Sequence, residues 1–398
     1  MSSIKYIDNN QQKGIKIDWN HIFREYKKLK CPDDVYDPTS CPIESVNWCV
    51  FMSARSRGKT TAWLLIGLLL YREYGIQIGY IRQTDRMTSS TKTRDLFNVV
   101  CEFGYIPKIF GDKWNSVYLW QKHFYLCNRD DDGKLLEKAE DDFCICLSID
   151  KSYEYKSTLT RPRTDLLIFD EFISNRYAPD EFIDLCQLIS TIRRKRQSTK
   201  ILCLSNMVTP YSEYLEEMGL RDTALKLTAG EHTIVESVMG AKVYYEVIDL
   251  SAKIISKQDT WFNKLYFGFA NKKLSAITGE EWEITNYPHL PHKEKDEVRT
   301  MITRDVYVRC FGKYVVMEFW HSDILGDYLM FRPFDLQVPR EGIVFTDELP
   351  LSKSEVYGMG EGTDYHKLWF LYMAHRDYYS SNEIGHMIET YVSSYDNR

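Results

Sequence analysis

The chain has 398 residues, of which 44% are hydrophobic and 27% charged, the composition of a folded protein with room for two domains. Its net charge of −6 excludes bulk cationic attraction to nucleic acid, so any such contact must come from local basic patches. The ten cysteines include no CxxC pair, no basic-then-apolar leader opens the sequence, and the longest apolar stretch (62–71) is too short to span a bilayer; the expectation is a cytosolic protein with reduced, buried thiols and no zinc site.

In chain order, residues 1–45 are polar and charged and read as an N-terminal extension, with a short helix predicted over 18–29 ahead of Pro32. From residue 46 the pattern becomes regular. Residues 46–52 form an apolar strand, a Gly/Ser/Arg loop follows, and TAWLLIGLLLYREYG has a helical period. Residues 76–82 are a second strand and 91–103 a helix closed near Gly104. Segments 116–126 and 143–149 read as strands around the polar turn Asp130-Asp131-Asp132-Gly133. Further strands are predicted at 165–169, 200–204 and 243–248, with a helix over 179–192. This alternation over 46–250 predicts an α/β domain with a largely parallel sheet and flanking helices. Residues 251–298 read as a charged linker. In the last segment, 299–398, DVYVRCFGKYVVMEFW and DYLMFRPFD suggest two or three antiparallel strands before a final helix over 382–393.

The first strand runs into Ser53-Ala54-Arg55-Ser56-Arg57-Gly58-Lys59-Thr60, with Thr61 next, and a helix starts there. Strand, loop and helix in this order form a phosphate-binding loop, whose backbone N–H groups converge on phosphate oxygens. Gly58 permits close approach, Lys59 reaches the terminal phosphates of ATP, and the Thr60 hydroxyl is placed to ligate Mg²⁺. Ser53 stands where such loops usually carry their first glycine. The plainer alternative is a basic turn before a buried helix.

The run Leu166-Leu167-Ile168-Phe169 ends in Asp170-Glu171. A buried strand ending in two carboxylates supplies what ATP hydrolysis needs beside a phosphate loop: Asp170 to hold Mg²⁺ and Glu171 to orient and polarise the attacking water. In a parallel sheet the next strand, ILCLSN, brings Asn206 to the same edge, where it can sense the γ-phosphate or share the attacking water; otherwise it is a turn residue before Pro210. The cluster Arg193-Arg194-Lys195-Arg196 falls at the opposite edge, between a helix end and a strand start. From there an arginine, Arg194 first and Arg196 second, could enter only a neighbour's site in a head-to-tail ring. Cations capping a helix C-terminus explain the cluster equally well.

With these residues in view, the sequence resembles the DNA-encapsidation ATPases of small, short-tailed phages with protein-primed genomes, part of the wider class of packaging motors that includes the large terminases. The signposts are ARSRGKT, IGYIRQ, FYLCNRDDDGKL, LIFDEFI, TIRRKR, ILCLSNMVTPY, FGKYVVMEFW, TDYHKLWFLYM and NEIGHMIETYV. The resemblance implies a P-loop NTPase fold of the ASCE type. It also implies a homomeric ring, a pentamer, docked at the portal (connector) vertex of the prohead in the host cytoplasm and driving double-stranded DNA inward. Lys59 and Thr60 would then be the phosphate-loop residues, Asp170 and Glu171 the metal and water residues, and Arg194 the trans-acting finger. Arg82 matches a family arginine without an assigned role, and a structural packaging RNA is left open as an adaptor.

The resemblance further implies that residues 299–398 form a small α+β domain like a vestigial RNase H-like nuclease. Asp305, Glu318 and Asp323 are poorly spaced for a two-metal cluster, which argues against cutting activity. Two other readings are kept: a terminase-type motor with a working nuclease, and a nucleotide-dependent switch or scaffold that moves nothing. Lys92 and Arg94 are candidates for a basic DNA channel.

Overall fold

The computed structural model describes residues 15–32, 35–53, 58–158, 161, 163–174, 177–178, 180–194, 196–237, 240–249, 286–290, 299–310, 312–334, 339, 341–346, 355–357 and 365–395. Chain contacts divide it into two compact units. The first is Met1–Ile173, Asp180–Val208 and Tyr214–Glu283; the second is Ser174–Pro179, Thr209–Glu213 and Ile284–Arg398. Most of the expected linker (251–298) lies outside the described residues.

The first unit is built on a ten-stranded sheet. Its strands are β1 (Trp48–Ser53), β2 (Gln77–Arg82), β3 (Ser116–Trp120), β4 (His123–Arg129), β5 (Leu135–Lys138), β6 (Cys144–Ser148), β7 (Thr164–Asp170), β8 (Lys200–Asn206), β9 (His232–Glu236) and β10 (Lys242–Val247). The order is β3-β4-β6-β2-β7-β8-β1-β10-β9, with β5 beside β4. The run from β6 to β10 is parallel throughout. The inner strands β6, β2, β7, β8 and β1 are largely apolar and buried; all seven residues of β7 are buried.

One covering element is helix α2 (Lys59–Tyr74), apolar all round and buried from Ala62 to Leu70, while α1 (Trp19–Lys28) lies further upstream. Helix α2 lies tight against the sheet at Gly67, where an added Cβ would come 2.4 Å from Ile78 Cδ1. The predicted N-terminal extension joins the same core. Asp18 caps α1 by accepting the His21 N–H at 2.9 Å, and Trp19, Ile22, Tyr26, Tyr36, Cys41 and Ile43 are buried with α2.

Two expectations need correction in this unit. The predicted helix 91–103 is two short pieces, Ser90–Thr93 and Asn98–Glu102. Between them Asn98 donates to Asp95 at 2.8 Å, a local side-chain bond that competes with helix propagation. The predicted strand 116–126 is instead the hairpin β3–β4, turning at Gln121 and Lys122 with φ of 45° and 68°. Two consecutive positive φ values are what a two-residue hairpin requires. Strands β5, antiparallel to β4, and β9, antiparallel to β10, were not foreseen.

The second unit holds a six-stranded sheet of β11 (Arg299–Cys310), β12 (Lys313–Ser322), β13 (Gly326–Pro333), β14 (Ile343–Thr346), β15 (Glu355–Tyr357) and β16 (Asp377–Tyr379). Its order is β15-β14-β11-β12-β13-β16. The two or three antiparallel strands expected here are three, the central meander β11–β12–β13, and β14 pairs parallel with β11. Val308, Met317, Leu329, Phe331 and Phe345 pack with Leu371 and Ile388 from two helices, His366–Met373 and Asn382–Tyr395.

Candidate functional site

Strand β1 ends at Ser53, and after the loop the chain resumes at Gly58; Ala54, Arg55, Ser56 and Arg57 lie outside the described residues. Gly58 sits at φ +65°, and a Cβ there would come 2.8 Å from the Val35 Cα, so both the backbone angle and the packing call for glycine. Lys59 opens α2 and is only 7% exposed. Its Nζ donates to Ser53 Oγ at 2.7 Å and to Asn206 Oδ1 at 3.2 Å. An ammonium buried at a helix N-terminus, where the dipole is already positive, makes a place that favours an anion. Thr61, in the first turn of α2, is half-buried.

Strand β8 lies between β1 and β7, and its register pairs Ser53 with Asn206 and Leu204 with Asp170. The C-terminal ends of three parallel strands thereby bring Lys59, Asn206 and Asp170 to one edge. Thr60 Oγ1 lies 3.1 Å from each carboxylate oxygen of Asp170. Tyr80 of β2 donates to Asp170 Oδ2 at 2.9 Å, and the Glu171 N–H donates to Oδ1 at 3.2 Å. Burial pushes the Asp170 carboxyl above its usual range, against the lowering pull of the Arg82 guanidinium and the Tyr80 hydroxyl. Burial, then the Asp170 charge, pushes the Tyr80 phenol well above its ordinary value, so it stays a donor.

Glu171 adopts φ +53°, a left-handed conformation that a non-glycine residue holds at some cost in strain, and this turns its side chain out of the strand. The carboxylate pairs with the Arg82 guanidinium, which also donates to Tyr80 OH at 3.3 Å. Arg82, left without a role in the sequence, thus grips the residue expected to orient water. Tyr80 was missed altogether. Inside IGYI it reads as another core aromatic, and only its position two residues before Arg82 hinted otherwise.

At the opposite edge, Arg194 ends helix α3 (Glu181–Arg193) at φ +51°. Lys195 is outside the described residues. Arg196 is committed within its own chain: it donates to Asp165 Oδ1 at 2.6 Å, to Thr164 O at 2.9 Å and to Ile192 O at 3.0 Å. The capping explanation therefore applies to Arg196. Lys92 and Arg94 are exposed. Arg94 rims a cleft of about 460 Å³ with Arg129 over Phe97 and Phe124.

In the second unit, Glu318 accepts from Trp320 Nε1 at 2.9 Å and from Arg332 Nε at 3.0 Å, Asp323 lies 4.0 Å from His321, and Asp305 is exposed on β11. Among the described residues no group of three or more His, Cys, Asp or Glu is gathered as a metal cage.

No family model matches the chain. In sequence it is similar to the DNA packaging proteins of Bacillus phages phi29 and PZA, each 28% identical over 167 residues, covering 41% of this chain and 43% of the relative. The DNA packaging protein of Bacillus phage B103 is 35% identical over 80 residues, 19% of this chain and 25% of its own. The chain thus matches less than half the length of these relatives. In fold it is similar to the Phi-28 gp11 DNA packaging motor, with TM-score 0.53 and 16% identity over 92% of this chain and 98% of that one. The chain of the bacteriophage Phi-29 viral genome packaging motor assembly gives TM-score 0.52 and 18% identity over 91% and 99%. In both sequence and fold, then, the chain is similar to phage DNA packaging proteins.

Proposed function

We propose that this protein is the ATPase of a phage DNA packaging motor, hydrolysing ATP to drive double-stranded DNA through a portal into the prohead. The observation that carries this reading is the convergence of Lys59, Thr60, Asp170, Glu171 and Asn206 on one sheet edge. The insertion of β8 between β1 and β7 supports the ASCE-type P-loop assignment for the first unit, with residues 53–61 as the phosphate loop. In the nucleotide-bound state Lys59 exchanges its neutral oxygen partners for phosphate. Asn206, which already touches Lys59, would report whether the terminal phosphate is present. Glu171, once released by Arg82, orients the attacking water.

The donor set fits Mg²⁺: two hard oxygens, from Thr60 and Asp170, leave the remaining positions to water and phosphate, as this ion prefers. Thr60 and Asp170 would hold it, and it would neutralise developing phosphate charge. Arg194, on the far edge, serves the site of the next subunit in a homomeric ring, a pentamer by resemblance, where a structural packaging RNA would be an accessory. The central meander of the second unit, extended by parallel β14, is compatible with an RNase H-like sheet. Glu318 is engaged by Trp320 and Arg332, which supports a domain that does not cut. Among the described residues no helix is long and apolar enough to cross a membrane, and the proposed place of action is the portal vertex in the host cytoplasm.

The test is hydrolysis rate against protein concentration, with and without linear duplex DNA. A cooperative onset with DNA stimulation is expected. A rate per subunit independent of both concentration and DNA would overturn the motor and favour a nucleotide-dependent switch.

A further inference from the structure

Strand register places Tyr80 opposite Ile168 on β7, with Ile78 opposite Leu166. Side chains two apart along a strand share a face, so Ile78 and Tyr80 lie on the same face as Leu166, Ile168 and Asp170. It is the face that α2 covers, since Gly67 of α2 meets both Ile78 and Leu166. Tyr80 is therefore aimed along the sheet toward the start of α2, between the apolar core and Asp170, and it is only 4% exposed.

Its hydroxyl has one proton to give. Arg82 donates to the phenol oxygen at 3.3 Å, which leaves that proton for Asp170 Oδ2 at 2.9 Å. With the Glu171 N–H on Oδ1, the two oxygens of Asp170 are each held by one fixed donor, so the carboxylate plane cannot rotate. One lone pair on each oxygen stays turned toward Thr60, which sits 3.1 Å from both.

We infer that Tyr80 is a positioning residue for the divalent cation of this site, orienting the Asp170 carboxylate so that its free lone pairs face the metal and its water shell. The inference rests on the nucleotide reading above and extends it to a residue that touches neither nucleotide nor metal. A partner that orients a metal-holding carboxylate typically contributes tenfold or more to metal affinity.

The full-length protein is titrated with Mn²⁺ in the presence of a non-hydrolysable ATP analogue, with bound ion followed by electron paramagnetic resonance. Tyr80→Phe, which keeps the ring in its packed place, is expected to weaken Mn²⁺ binding about tenfold. Analogue binding in EDTA should match wild type, a separation that a purely structural tyrosine would not show. Because Tyr80 acts through Asp170, adding Tyr80→Phe to Asp170→Asn should weaken Mn²⁺ no further. Wild-type Mn²⁺ affinity in Tyr80→Phe, or an undiminished loss in the Asp170→Asn background, would overturn the assignment. Wild-type protein that takes up neither analogue nor Mn²⁺ overturns the nucleotide reading itself, and this assignment with it.

Discussion

Strand β7 carries a buried aspartate at each end, and the two are held in different ways. Near its start, Asp165 is 2% exposed and accepts from Arg196 Nε at 2.6 Å, Ser198 Oγ at 2.9 Å and Thr199 Oγ1 at 2.8 Å. A guanidinium from its own chain neutralises it. At its end, Asp170 is 8% exposed, and the groups within hydrogen-bond distance are two hydroxyls and one backbone N–H. The nearby guanidinium of Arg82 is paired with Glu171 instead. Burial therefore pushes the Asp170 carboxyl up. One end of the strand is a closed staple, while the other is a carboxylate held by hydrogen bonds alone. A buried acid whose neighbours supply hydrogen bonds but no direct countercharge is a candidate for a functional site.

The largest effect that would break this contrast is on turnover. Glu171→Gln keeps the size of the side chain and removes its charge, so ATP should still bind. Hydrolysis should fall by about 10²–10⁴-fold, the usual contribution of a positioned general base. Steady-state ATPase assays beside filter binding of labelled ATP would check it, and near-normal turnover would move the water-orienting role to another residue. The second effect is on stability, and it belongs to the other end. Asp165→Asn replaces an acceptor that serves three donors with a group that is itself half donor. It should cost about 3 kcal/mol in the denaturant unfolding of the first unit, as breaking a buried ion pair does. ATP affinity of the folded protein should not change. A large loss of ATP affinity without loss of stability would erase the distinction between staple and site.

Much of this could be read beforehand, because the informative segments are the fully buried ones. β1, β2, β7 and β8 are continuous apolar runs, and α2 is an unbroken apolar helix, so strand, loop and helix stand out around Lys59. Half-exposed elements were harder. β9 alternates between exposed and partly exposed residues, and the β3–β4 turn uses Gln121 and Lys122, which carry none of the glycine or asparagine signal that marks such turns. Strands β14 to β16 are only three or four residues long. Within the candidate site, Lys59, Thr60, Asp170, Glu171 and Asn206 were singled out from the sequence, whereas Tyr80 was not. Tyr80 looks like core until its hydroxyl is seen on Asp170, and the fate of Arg196 depends on Asp165, thirty-one residues away in sequence.

The smallest effect concerns Ser53, where phosphate loops usually carry glycine. Its hydroxyl accepts from Lys59 Nζ at 2.7 Å, so under the proposed function ATP would have to draw the ammonium off a protein partner before phosphate could take it. A hydrogen bond involving a charged group is worth about 1.5–3 kcal/mol at most, and much of that is recovered when phosphate replaces the serine. Ser53→Gly should therefore tighten ATP binding only a few-fold, on the order of 1 kcal/mol, while costing about 0.5–1 kcal/mol of stability in backbone entropy. Ser53→Ala separates the two possible causes, since it keeps the Cβ and loses only the hydroxyl. Equal tightening in both variants, measured by isothermal titration with a non-hydrolysable analogue, assigns the effect to the bond with Lys59. Tightening in glycine alone assigns it to crowding of the loop by the Cβ. Weaker binding in both would mean that the Ser53 hydroxyl contacts the nucleotide directly, and the site edge would then contain one more working group than the contrast with Asp165 implies.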